Sequence, residues 1–176
     1  MSDALQALYA GDGERARRLL PADAQLSVFE AAAFGRLERL HAILAGDPSQ
    51  AQAVSGDGFT PLHLAVFAGQ AEAARVLLEF GADIDALSVG SIARVPPLGT
   101  AAFVRSLELT RVLLDAGADV NRRGEGGFTA LHSAAQSGDV ELVRLLLERG
   151  ADPSLRTDDG KRPADYAEAE DVRALL

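Results

Sequence analysis

The 176-residue sequence predicts an all-α fold, a solenoid of stacked helix-turn-helix units joined by extended finger loops. Three observations carry this expectation. A glycine-anchored pattern recurs down the chain at intervals close to 33 residues. Each recurrence holds two short segments with apolar residues at helical spacing. Ala and Leu, both strong helix formers, dominate the composition.

The anchors are the glycines of Gly11, Gly35, Gly69 and Gly138, each followed three residues later by glutamate and eight and nine residues later by two aliphatic residues. Around Gly69 these are Glu72, Leu77 and Leu78, and around Gly138 they are Glu141, Leu146 and Leu147. Gly35 gives Glu38, Ile43 and Leu44, and Gly11 gives Glu14, Leu19 and Leu20. Arg105 replaces the glycine, yet Glu108, Leu113 and Leu114 keep the offsets. Asp171 is a weak sixth anchor. The intervals are 24, 34, 36, 33 and 33 residues. The short first interval and truncated last unit suit end caps, which differ because one face meets water. The chain is expected to be one domain, 1–176, with units at 4–24, 25–58, 59–94, 95–127, 128–160 and 161–176.

The unit starting at Phe59 shows why two helices form. Thr60 suits a helix N-cap and Pro61 the first helical position. Leu62, Ala65 and Val66 then make an apolar face. Gly69 ends this helix, because glycine accepts the left-handed conformation of a C-cap. A second helix is expected over Ala71–Phe80, burying Val76 and Leu77 and ending at Gly81. Ala82-Asp83-Ile84-Asp85 leads into the next finger. The unit from Phe128 repeats the scheme through Gly138 and Gly150. Helices this short are unstable alone, so pairs must stack, and small alanines on the first helix permit close approach.

Thr60-Pro61-Leu62-His63, Thr129-Ala130-Leu131-His132, Gly117-Ala118-Asp119-Val120-Asn121 and Gly150-Ala151-Asp152 resemble the consensus of the ankyrin repeat family. The resemblance covers roughly residues 4–176. It implies a protein that binds another protein on a concave face, formed by the finger turns and the exposed end of each first helix. Mapped by phase, the two positions before the inter-helix turn are Ala33-Phe34, Phe67-Ala68, Phe103-Val104 and Gln136-Ser137. The position before the capping residue is Phe59, Val95 or Phe128. Five of the seven phenylalanines thus fall on expected contact positions, and an aromatic set on one face is what a binding hot spot requires. The candidate contact residues are Phe34, Phe59, Phe67, Ile92, Arg94, Val95, Phe103, Val104, Arg123, Glu125, Phe128 and Gln136. An aromatic residue before the capping threonine commonly packs against the neighbouring finger, so a structural role is the favoured reading for Phe59 and Phe128.

Two departures from the pattern lie mid-chain. The link over 87–96 is three residues longer than the period and carries Val89, Ile92 and Val95. These either fold back over the core or form an enlarged finger that meets a ligand. Arg105 occupies the turn position, where a non-glycine residue costs roughly 1 kcal/mol, and Gly99 occupies the histidine position. A locally weak unit and a binding role for Arg105 are the two readings.

Charge and composition narrow the function classes. The net charge of −9 disfavours nucleic acid and anionic membranes as partners. Without cysteine, disulfides, thiolate metal sites and a cysteine nucleophile are excluded. The N-terminus lacks a basic segment followed by an apolar run, and no apolar stretch reaches membrane-spanning length, so the cytoplasm is expected. His63 and His132 stand at the third helical position, where the imidazole can bond neighbouring turns, and His41 is expected on the surface of a second helix. Gly124-Glu125-Gly126-Gly127 lies in a finger with no preceding strand and no following lysine, unlike a phosphate cradle. No metal, cofactor or catalytic set is expected. The leading expectation is a monomeric, non-catalytic module that binds a protein. The alternative is a small enzyme or small-ligand-binding protein with a cryptic site on the same scaffold.

Overall fold

The computed structural model describes residues 2–89 and 94–176, in which there are twelve α-helices and no strand. They form two compact units, one of residues 2–83 with 88–89 and the other of 84–87 with 94–176. Among the expected contact residues, Ile92 lies outside the described residues.

The first unit holds α1 (Asp3–Tyr9), α2 (Gly13–Arg18), α3 (Val28–Ala33), α4 (Leu37–Gly46), α5 (Pro61–Phe67) and α6 (Ala71–Glu79). Side chains set the helix starts. Ser27 and Glu30 form a reciprocal capping box at α3, and Thr60 caps α5 with Pro61 in its first turn. α3 packs between α1 and α5, and α4 packs on α6. Ala31, Ala32, Ala65, Ala73 and Ala74 are fully buried, which lets the helices approach closely. Leu40, Leu44, Leu62, Leu64 and Leu77 fill the layer between. Each contributes about 1.5–3 kcal/mol by leaving water. The α5–α6 turn runs through Gly69 at φ 76°, a left-handed conformation that favours glycine. The second helix expected to reach Phe80 ends at Glu79, with Phe80 as its C-cap.

The second unit holds α7 (Pro97–Phe103), α8 (Leu107–Asp115), α9 (Ala130–Ser137), α10 (Val140–Glu148), α11 (Pro163–Tyr166) and α12 (Glu170–Arg173). α9 packs between α7 and α11, over fully buried Leu98, Leu109, Leu113, Leu131, Leu142 and Leu146. Arg105 keeps the glycine's backbone, with φ 57°, so the turn is preserved in a strained residue rather than shifted. A side chain at Gly99 would need its neighbours to shift by a few tenths of an ångström. A Cβ there would lie 3.3 Å from Pro96 and 3.4 Å from Val95. Val95 is accordingly half-buried, whereas Val89 is 65% exposed, so the apolar residues of the long link do not share one role. Asp171 falls inside α12 rather than in a turn, because the last pair is cut to two four-residue helices.

Candidate functional site

In the first unit the ends of the first helices bring aromatic rings together. Tyr9, Ala33 and Phe67 share one repeat position. The small Ala33 leaves room above it, and the Tyr9 and Phe67 rings meet with centroids 5.4 Å apart. Tyr9 also lies 6.1 Å from Phe59. Phe34 and Phe59 pack against the buried cluster of Leu5, Ala33 and Leu64. Phe34, Phe59 and Phe67 are all half-buried as a result. Burial pushes the Tyr9 hydroxyl well above its ordinary range, and the Asp57 carboxylate adds to the shift through its charge. The hydroxyl makes no well-formed hydrogen bond among the described residues. A shallow open groove of about 260 Å³ runs past Leu8, Arg17, Phe34 and Gln70.

The second unit treats the same positions differently. Phe103 is 72% exposed, the most exposed large apolar side chain among the described residues. Gln136, at the same position one repeat on, is exposed, and Val104 is half-buried. Arg105 points its guanidinium at Asp139, 3.7 Å away. Phe128 is a packing residue, with its ring 5.0 Å from Tyr166 and 5.3 Å from His132.

The fingers account for Arg94, Arg123 and Glu125. Two of the fingers are tight hairpins, closed by Gly124 N–H donating to the Phe128 carbonyl at 2.7 Å and by Thr157 N–H donating to the Lys161 carbonyl at 2.8 Å. Neighbouring fingers are tied edge to edge. The Glu125 N–H donates to the Arg94 carbonyl, and the Glu125 carboxylate accepts from the Arg94 N–H at 2.9 Å. Arg123 reaches the next finger, donating to the Arg156 carbonyl and pairing with Asp158 at 3.1 Å. The glycines of this finger have mechanical roles. A Cβ on Gly124 would lie 2.8 Å from the Arg94 carbonyl, and Gly126 and Gly127 have φ 64° and 76°. A second set of ties joins the loops after the second helices. Asn121 donates to the Gly150 carbonyl and accepts from Asp152 N–H, and Gln52 does the same for Gly81 and Asp83.

The histidines are built into the scaffold. His63 and His132 are buried, and each Nδ1 faces the hydroxyl of its capping threonine, at 2.8 and 2.9 Å. His132 Nε2 also meets the Lys161 carbonyl at 3.3 Å. Burial pulls the His132 pKa below its ordinary value, and the nearby Arg123 charge acts in the same direction. His41 is exposed on α4, its ring edge-on to Phe80. No cluster of three or more metal-ligating side chains occurs among the described residues. No helix among them is long and apolar enough to cross a membrane.

Phe103 and Gln136, two of the expected contact residues, are exposed. Tyr9 is not among the expected residues. The signal was present, since Tyr9 stands two residues before Gly11 as Phe67 stands two before Gly69.

Stacked helix pairs, left-handed inter-helix turns, capping threonine–histidine boxes and mutually tied hairpin fingers define a helical-repeat protein. Comparison with family models agrees: residues 113–167 match the model described as ankyrin repeats (many copies), and residues 57–88 match the ankyrin repeat. The comparison with curated proteins gives no match. Residues 57–88 and 113–167 are ankyrin repeats, and the fold is that of an ankyrin repeat protein. Ankyrin repeats are in general protein–protein interaction modules without catalytic activity.

Proposed function

We propose that this chain is a non-catalytic module that binds a partner protein through the exposed ends of its first helices and the adjoining fingers, the concave face of an ankyrin array. The observation that carries this reading is Phe103. A phenylalanine 72% exposed at the end of a well-packed helix gains nothing for folding. Aromatic anchors on rigid, preorganised surfaces are what protein interfaces use. Phe67 with Tyr9 supplies an aromatic pair at the same repeat position in the first unit. Around these anchors Phe34, Val104, Gln136 and Arg94 serve as flanking contacts. Phe59 and Phe128 support the scaffold, and Arg123 and Glu125 hold the fingers in register. The repeat phase of the sequence continues through 84–96, so residues 1–176 act as one ankyrin domain. It works as a cytoplasmic monomer without a cofactor.

The test is affinity capture from native lysate with wild type and with Phe67→Asp plus Phe103→Asp. The expected result is loss of the specific partner while the circular dichroism spectrum stays helical. Retention of every specific partner by a folded double variant would sink the proposal.

A further inference from the structure

Aromatic rings and a carboxylate come together in the first unit. Tyr9 meets Phe67 at 5.4 Å with 55° between the ring planes, and Phe59 at 6.1 Å with 42°. The rings are splayed rather than stacked, and each of the three side chains keeps part of its surface in water. Asp57 stands beside them, in the finger whose ends meet where the Ser55 N–H donates to the Phe59 carbonyl at 2.9 Å. The Ser55 hydroxyl donates to the Asp57 carboxylate at 2.5 Å and fixes its position. The Asp57 charge is felt at the Tyr9 hydroxyl, where it adds to burial in disfavouring a second negative charge. Asp57 is half-buried and forms no ion pair among the described residues.

We infer that this cluster receives an arginine of the partner, its guanidinium against the Tyr9 and Phe67 rings and its charge facing Asp57, with Phe59 backing Tyr9. Charge complementarity argues for this occupant at two ranges. Locally, an aromatic face carries the negative pole of its quadrupole and attracts a cation within about 6 Å of the centroid. The carboxylate attracts the same cation, whereas an anion is repelled by both. An apolar side chain would cover Asp57 and leave its charge desolvated without a partner. At long range the net charge of −9 draws a basic segment towards this chain. Arginine fits better than lysine, because its guanidinium is planar, stacks on rings, is weakly hydrated and matches a carboxylate with a fork of donors. The inference rests on the binding reading above and adds the chemistry of what is bound.

Three blocked amino acids probe it against the full chain by nuclear magnetic resonance: N-acetyl-argininamide, N-acetyl-citrullinamide, which has the same shape without the charge, and N-acetyl-leucinamide. The expected result is saturable shifts of the Asp57 and Gly58 amides and of the Tyr9 and Phe67 ring signals with the arginine probe. Binding should weaken about fivefold or more with the citrulline probe, which needs no change to the protein, and by a similar factor in Asp57→Asn. The asparagine still accepts from the Ser55 hydroxyl, so this variant is expected to keep the finger and the wild-type spectrum elsewhere. Citrulline or leucine binding as tightly as arginine, an unchanged response in Asp57→Asn, or shifts confined to other residues would overturn the inference. The two proposals fail separately. Partner capture that depends on Phe67 and Phe103 while the arginine probe leaves the cluster silent removes this inference and leaves the binding reading standing. A cluster that selects arginine while the double aspartate variant keeps its partners removes the binding reading instead.

Discussion

Thr110 has a fully buried hydroxyl on α8 without a hydrogen-bond partner among the described residues. Val143 holds the same repeat position on α10 and is buried too. Replacing a buried, unsatisfied hydroxyl by a methyl of the same shape removes a desolvation penalty. Thr110→Val is therefore expected to raise unfolding stability by about 1 kcal/mol, read from urea titration at constant slope. His132 carries a pH dependence whose sign follows from burial. Its folded pKa is depressed, so protons bind more readily to the unfolded chain. Its contribution is complete above about pH 6.5, the ordinary histidine value, and is lost as acid is added below it. Melting temperature should fall between pH 7 and pH 5, and His132→Gln should flatten that slope. An equal slope in the variant would contradict the assignment. Arg105 was legible at this scale, since an anchor position without glycine announces left-handed strain. Thr110 was not, because an orphaned hydroxyl is a property of its neighbours rather than of its own position.

At the scale of elements, the helices follow from their caps and turns, and the loops follow from side chains that reach the next repeat. The Thr60–His63 and Thr129–His132 boxes, the glycine turns and the alanine faces are local signals, so the expected helix pairs could be read from the chain. The last pair departed from phase because two four-residue helices leave no room for the regular turn. The finger ties were not legible. Arg94, Arg123 and Glu125 have the composition of contact residues, and only the geometry shows that Glu125 and Arg123 are engaged with neighbouring fingers. Asn121 tests the importance of such ties. It bridges both the Gly150 carbonyl and the Asp152 N–H. Asn121→Ala should cost about 1–2 kcal/mol, two modest hydrogen bonds at a partly exposed site. A loss below the error of a denaturation curve would show that water replaces the bridge.

At the scale of the whole molecule, repetition makes the core regular and leaves recognition to the residues that break the repeat. The same helix-end position is an aromatic pair at Tyr9 and Phe67, a bare methyl at Ala33, an exposed ring at Phe103 and an amide at Gln136. Phase alone located these positions. It could not show that Ala33 lets two rings meet across it, nor that Phe103 stays open while Phe128 closes on Tyr166, because both depend on contacts between repeats. On the proposed function, the partner meets the helix-end surface at Phe103. Site-specific photo-crosslinking tests it most directly, with a benzophenone side chain at position 103 and, as control, at Arg111, which is exposed on α8. The expected result is a discrete adduct in native lysate from position 103, competed away by unlabelled wild-type protein, and none from 111. A competed adduct from 111 with none from 103 would contradict it.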